Sequence, residues 1–304
     1  AGREISVRAE FDRSDESGIP GAMSVTLGIA PENTDADELI ARAAAAAAAA
    51  DVAIVVVGTN SKVESEGYDR ANLDLPGRQD DLVRAVVAAN ARTIVIINAG
   101  SPVVLPWADD AAAIVQGYFG GQEFGTALAD VLTGAAEPGG RLPTTWPAAL
   151  ADVPVRDVTP DQGVLRYSEG IHIGYRAWLR SDARPAFPFG HGLGYTTWSW
   201  DGVVRDGDDV VVTLTNTGAR AGGQVVQVYA ERADSEVDRP VRWLVGFGVV
   251  RAAAGETATI RVGVPTRRLA HWNGGWEVEA GAFTLCVGAS VAETPLSVAW
   301  EAGE

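Results

Sequence analysis

Between positions 64 and 74 the chain carries four carboxylates, Glu64, Glu66, Asp69 and Asp74, in and just after the stretch Val63-Glu64-Ser65-Glu66-Gly67-Tyr68-Asp69-Arg70. Closely spaced carboxyl groups suit general acid chemistry. Cleaving a glycosidic bond needs one carboxylic acid to protonate the leaving oxygen and a second carboxylate at the anomeric carbon. A glutamate titrates near ~4.3, so an acid that works near neutrality needs burial or a neighbouring carboxylate to raise it. A second domain closing over Glu66, Gly67 and Tyr68 would supply that burial. The bland alternative is a solvated acidic loop, and spacing alone leaves both readings open.

The elements around the loop say where it sits. It hangs off the apolar run Val52–Val57 and precedes an amphipathic run from Gln79 to Asn90. Such a pattern reads as a buried parallel strand entering a βα loop, the place where open α/β sheets put their ligands. The loop exceeds the usual few residues, so it either has a task or is disordered. Upstream, Thr34 is expected to cap a helix that carries Asp35 and Asp37 at its start and runs to about Ala50. Strands Thr93–Asn98 and Ala113–Gln116 and a helix Glu123–Leu132 follow. Residues 31–150 are therefore expected to form a layered α/β sandwich with a mostly parallel sheet.

Residues 151–194 are rich in Pro, Gly and aromatics and read as an extended connection. It should lie across another surface, because Ile171, Ile173, Tyr175 and Trp178 need cover. From 195 to 304 the pattern becomes all-β. Short runs at 210–214, 225–229, 243–249, 257–262, 283–287 and 296–300 are split by turn residues, which suggests a fibronectin III or immunoglobulin-like sandwich. Residues 4–10 and 23–29 alternate at period two and read as the tail of a β-domain occupying 1–30.

Composition narrows the function classes. The formal net charge is −16, which argues against nucleic acid or an anionic membrane as the main partner. The tract Ala43–Ala50 and the run Val52–Val57 are split by Asp51, and neither approaches the roughly 20 apolar residues of a membrane span. Cys286 is alone, which rules out an intrachain disulfide and leaves the compartment, cytoplasmic or secreted, undecided. His172, His191 and His271 are scattered, so no metal and no cofactor are expected. No Gly-x-Gly-x-x-Gly follows a strand, and neither a P-loop nor a Gly-x-Ser-x-Gly elbow occurs. Without an initiating methionine or signal peptide, the true N-terminus is expected to be processed or missing.

The loop and the segments after it together resemble the C-terminal region of glycoside hydrolase family 3, the β-glucosidase-type enzymes. The resemblance begins with Glu64-Ser65-Glu66-Gly67-Tyr68-Asp69-Arg70 and Leu73-Asp74-Leu75-Pro76-Gly77-Arg78-Gln79. It continues in order through Asn98-Ala99-Gly100-Ser101-Pro102-Val103, Pro106-Trp107 and Gly120-Gly121-Gln122-Glu123-Phe124-Gly125. Further on come Gly140-Arg141-Leu142-Pro143, Tyr167-Ser168-Glu169-Gly170, Gly174-Tyr175-Arg176 and Phe187-Pro188-Phe189-Gly190-His191-Gly192. One departure is Gly194, where the family usually has serine; it reads as a turn substitution.

The resemblance implies that Glu66 is the acid/base glutamate, with Glu64 as the fallback candidate. It implies a closing fibronectin type III-like domain, and a PA14-type insert ending near residue 30. It also implies a partner: the family's nucleophilic aspartate sits in an N-terminal (β/α)8 barrel, expected in the same or a neighbouring chain. The expected substrate is a terminal β-linked sugar in an oligosaccharide or glycoside, glucose first, cleaved with retention. If the insert ends near residue 30, the first part of the sandwich lies outside the chain, and an unpaired edge or apolar face is expected. Asp69 and Arg70 are expected to pair and brace the loop, and Trp107 and Tyr118 to pack rather than border a sugar. The rival class is a non-catalytic module that docks on another chain.

Overall fold

The computed structural model describes residues 35–68 and 70–302. The strands expected at 4–10 and 23–29, and with them the PA14-type reading, lie outside the described residues. The first helix, α1 (Ala36–Ala48), is capped by Asp35 instead of Thr34: its carboxylate accepts from the backbone N–H groups of Asp37 and Glu38 at 2.9 and 3.2 Å. A short oxygen-bearing side chain one residue before the helix satisfies donors that the helix cannot.

Three parallel strands follow, β1 (Ala53–Gly58), β2 (Thr93–Asn98) and β3 (Ala113–Gln116), ordered β1-β2-β3. Ala53 aligns with Thr93, and Ile94 with Ala113. The helix α2 (Gln79–Ala89) links β1 to β2, and its Val83 and Val86 join Val55, Val57, Val95 and Ile97 in one core. A third helix, α3 (Phe124–Thr133), ends on Gly134 in the left-handed region, φ 77°. β1 is parallel as expected, but it is covered on one face only. Ala53, Val55 and Val57 point inward, whereas Ile54 and Val56 are 53% and 60% exposed. Among the described residues β1 pairs only with β2. Ile54 and Val56 thus form an exposed apolar face on this strand.

The connection does lie across another surface. Its short helix α4 (Tyr175–Trp178) buries Trp178, and Tyr175 stacks on Phe189 with ring centroids 4.5 Å apart. These rings pack against Tyr229, Cys286 and Val291 on the outer face of the β-sandwich. Ile171 and Ile173 remain 41% and 52% exposed, so the cover inferred for them is absent among the described residues.

The second domain comprises β4 (Trp198–Asp206), β5 (Asp209–Asn216), β6 (Gly222–Glu231), β7 (Trp243–Ala252), β8 (Thr257–Gly263), the short pair β9 (His271–Trp272) and β10 (Trp276–Glu277), β11 (Gly281–Gly288) and β12 (Leu296–Ala302). Sheets β4-β5-β8 and β12-β11-β6-β7 face each other. Alternate residues of β5, namely Val210, Val212 and Leu214, meet Val226, Val228, Phe283 and Leu285 in the core between them. Six of these strands overlap runs legible in the sequence. β4 and the β9–β10 pair were not singled out there. Cys286 is buried, and burial pushes its thiol pKa up, as expected for a packing residue.

The two domains are joined by backbone pairing, by the Glu137 carboxylate and by the side chains of Tyr195 and Arg220, which donate to Val131 O and Gly134 O at 2.6 and 2.8 Å. Phe187–His191 pairs back onto Leu142–Trp146, with Trp146 N–H donating to Phe187 O and Leu142 N–H to His191 O, both at 2.8 Å. Glu137 accepts from the backbone N–H of Tyr195 at 2.9 Å and of Gly223 at 2.6 Å. The missing side chain at Gly194 has a reason here: a Cβ would come within 2.5 Å of Glu137 Oε1. Serine at this position would have to displace the carboxylate. Replacing Glu137 by Ala removes the acceptor of the part-buried Gly223 N–H and of the exposed Tyr195 N–H, and is expected to lower stability by about 1–3 kcal/mol. It should also separate the unfolding of the two cores. Urea denaturation followed by circular dichroism and tryptophan fluorescence checks this; unchanged, coincident transitions would contradict it.

Candidate active site

The parallel register sends three loops out at the carboxyl ends of β1, β2 and β3. The acidic loop leaves β1 at Gly58 and returns at Gln79. That glutamine closes it: its Oε1 accepts from Gly58 N–H at 2.7 Å, and its Nε2 donates to Gly58 O and Pro76 O, each at 2.9 Å. Leu73 O accepts from Val104 N–H at 2.8 Å, and Leu75 is buried. The loop is thus ordered against its neighbours despite its length.

Glu64 is the anchor. The Thr59 hydroxyl donates to its Oε2. Ser101 Oγ donates to Oε1 at 2.8 Å, and Gly100 N–H reaches Oε2 at 3.3 Å. Arg70 donates to Ser101 Oγ at 2.9 Å and Pro102 O at 3.3 Å, which brings its positive charge beside the same carboxylate. Partial burial favours the neutral acid, but the hydrogen bonds from Thr59, Ser101 and Gly100 and the Arg70 charge outweigh it. The net result holds the Glu64 pKa below the ordinary carboxylate range. A carboxylate kept ionised in this way is a poor proton donor and a good clamp. The expected Asp69–Arg70 pair falls outside the described residues at Asp69.

Two residues on, the environment changes. Ser65 and Tyr68 bridge across a tight turn, Gly67 N–H donates to Ser65 Oγ at 3.1 Å, and the Tyr68 hydroxyl donates to Ser61 O. Glu66 rides at the tip of that turn, exposed, and its carboxylate has no hydrogen bond or ion pair to another described residue. Asp74 is also exposed, further along the loop. The three described carboxylates therefore do not converge: Glu64 is tied down, and Glu66 and Asp74 stand out into solvent.

Aromatic residues divide as the sequence suggested for one of the two. Trp107 is buried, and its indole N–H donates to Asp80 Oδ1 at 2.8 Å, so it packs beneath the site. Tyr118, after β3, holds a positive φ of 53°, and its buried hydroxyl has no partner among the described residues. Phe119 beside it is 56% exposed and lies against Gly100. A Cβ on Gly100 would sit 2.9 Å from both the Phe119 ring and Glu64 Oε1, so glycine is what lets the three loops meet. Thr59, Gly100, Ser101 and Gln79 were not assigned roles from the sequence. Gly100 and Ser101 were visible there only as part of a family-like segment. Two hollows, about 420 and 590 Å³, lie elsewhere, at the junction of connection and β-sandwich near His172, Arg180 and Asp238. Among the described residues no group of three His, Cys, Asp or Glu is arranged to hold a metal ion, and no helix is long and apolar enough to cross a membrane.

The molecule is a parallel α/β layer with a carboxylate loop at its strand ends, joined to a fibronectin-like sandwich. The chain belongs to glycosyl hydrolase family 3. It matches the glycosyl hydrolase family 3 C-terminal domain over residues 6–195 and a fibronectin type III-like domain over 224–291. It is 40% identical to a β-glucosidase of Kluyveromyces marxianus over 302 residues, which cover 95% of this chain and 36% of that protein. It is 36% identical to a β-glucosidase of Rhizobium radiobacter, covering 98% of this chain and 38% of the relative. The K. marxianus enzyme solved in complex with glucose superposes with a TM-score of 0.83 at 39% identity, over 90% of this chain and 34% of that one. A β-glucosidase from Streptomyces venezuelae in complex with D-glucose gives 0.81 at 37% identity, over 87% and 35%. The chain thus spans about a third of the length of these relatives.

Because the folded-state pKa of Glu64 is lowered, its contribution to stability is complete above the ordinary value of roughly 4.3 and is lost as pH falls through the lower folded-state value. The stability gap between wild type and Glu64→Gln should therefore be widest near neutrality and shrink in acid. Urea unfolding of both proteins across that range measures it, and a gap independent of pH would refute the clamp.

Proposed function

We propose that this chain supplies the general acid/base of a retaining, exo-acting β-glycosidase, with Glu66 in that role. The observation that carries the reading is the contrast within one loop. Glu64 is committed to Thr59, Gly100 and Ser101, while Glu66, two residues away on a turn that this clamp steadies, is left free for a substrate. Similarity to β-glucosidases, two of them solved with glucose, supports a terminal β-linked glucose as the substrate.

In this mechanism the Glu66 carboxylic acid gives its proton to the glycosidic oxygen as that bond breaks. An aspartate from a barrel outside this chain forms the covalent bond to the anomeric carbon. Glu66, now a carboxylate, then takes a proton from water, and the resulting hydroxide displaces the aspartate. Retention requires the two carboxyl groups to stand about 5–5.5 Å apart in the assembled enzyme. Docking of the barrel over the carboxyl ends of β1–β3 would remove Glu66 from water and give it the burial that an acid near neutrality needs.

A second reading, a non-catalytic docking module, draws on the exposed Ile54 and Val56. Kinetics separate the two. In the enzyme assembled with its barrel, Glu66→Gln should slow cleavage of cellobiose-type substrates by about 10²–10⁴-fold, the usual scale of general acid catalysis. Aryl glucosides with good leaving groups should be much less affected in the glycosylation step. Undiminished turnover of cellobiose would sink the assignment. Assayed without the barrel, the 304-residue chain should hydrolyse neither substrate class; robust turnover by the purified chain would overturn the division of the two carboxylates between domains.

A further inference from the structure

The β-sandwich carries a second aromatic feature that neither its core nor the acidic loop uses. Strands β9 and β10 form a tight hairpin in which Trp272 stands directly opposite Trp276. Their rings meet edge to face, 5.3 Å between centroids at 64°. Both indoles face outward, 62% and 53% exposed. Neither indole N–H is bonded to another described residue. An exposed leucine is ordinary, but two adjacent exposed tryptophans are a large apolar surface left in water, which marks a binding surface.

The hairpin is built to hold these rings still. Asn273 N–H donates to Gly275 O at 2.8 Å across the turn, and Gly274 takes the left-handed φ of 69° that closes it. Arg267 lays its guanidinium over the Trp276 ring, 3.1 Å from the centroid. At the base, Arg239 joins His271 Nδ1 at 3.4 Å and also holds Leu269 O and Glu279. With Arg267 on one face of Trp276, the exposed Trp272 ring is the free platform. Asn273 and Glu277, 3.4 Å apart through Nδ2 and Oε2, supply polar groups beside it.

The geometry points to a carbohydrate subsite: we propose that the Trp272–Trp276 hairpin binds a neutral β-linked glucan chain, apart from the acidic loop. A pyranose ring presents C–H bonds on its faces and hydroxyls around its rim. An indole platform flanked by an amide and a carboxylate offers the matching pattern of stacking and hydrogen bonding. The local charges are mixed, Arg267 against Glu277, and the chain as a whole carries −16, so a polyanion or an anionic lipid surface is disfavoured. The fixed rings lose little conformational freedom on binding. The choice of a β-glucan rests on the glycosidase reading, whereas the site itself rests on the hairpin.

Affinity electrophoresis of the 304-residue chain tests it, in gels containing laminarin or barley β-glucan and in gels containing glycogen. The β-glucan gels should retard the wild type, and glycogen should not. Trp272→Ala should weaken the retardation about tenfold, one well-made aromatic contact, and Trp272→Tyr should restore most of it. The readout is binding without turnover, which keeps this result separate from the catalytic assignment. The absence of any retardation would overturn the proposal, as would equal retardation of wild type and Trp272→Ala, or equal retardation in glycogen. So would concentration-dependent self-association that Trp272→Ala abolishes without glucan, because the surface would then belong to a second copy of the chain.

Discussion

Glu64 receives hydrogen bonds from the end of β1, through Thr59, and from the loop after β2, through Gly100 and Ser101, with the Arg70 charge beside it. An ionised carboxylate that is partly withdrawn from water must be paired in this way or it will take up a proton. The pairing does more than satisfy the charge. It fastens the long acidic loop to the neighbouring strand end and leaves the short turn Ser65–Tyr68 as a defined projection. Gln79, Leu73 and Leu75 hold the returning half of the loop, and the Glu64 clamp holds its outgoing half. The presentation of Glu66 follows from where Glu64 is held.

The same economy governs the junction between domains. Glu137 lies among Gly194, Gly222 and Gly223, and each of these glycines is close enough that a side chain would crowd the carboxylate or its neighbours. On the far side, Tyr175, Phe189 and Tyr229 form an aromatic contact between the connection and the outer sheet face, and Gln227 donates to Gly190 O at 3.0 Å. Polar groups on one side and rings on the other make the connection part of the β-sandwich surface. The α/β layer is therefore positioned relative to the sandwich by short, directional contacts. Among the described residues Ile54 and Val56 leave one face of β1 exposed.

Much of this was legible in the chain because hydrophobic period reports burial directly. The run at 52–57, the amphipathic helix at 79–90 and the alternating stretches after 195 reappear as elements with each end within three residues. The cap of α1 was misplaced by one residue because Thr34 and Asp35 are both competent caps, and local sequence does not choose between adjacent ones. β4 is hidden in the sequence because Trp198–Asp206 contains three charged residues, a glycine and a bulge between Trp200 and Gly202 that break the alternation. The two-residue strands β9 and β10 are too short for any period to show. At the site, the motif singled out both glutamates but could not rank their environments.

The order of residues alone determined the fold class, the change from α/β to all-β near 195 and the family resemblance, and it singled out the carboxylate-rich stretch at 64–74. Those follow from covalent neighbours and local periodicity, which do not depend on what lies across the fold. The separation of Glu64 from Glu66 was decided in three dimensions, by Gly100 and Ser101, more than thirty positions downstream and brought to the loop by parallel pairing of β1 with β2. The fit of Gly194 against Glu137 and the outward display of Trp272 and Trp276 were decided there too. Solvation and hydrogen bonding of a side chain depend on whichever distant segments the fold brings alongside it.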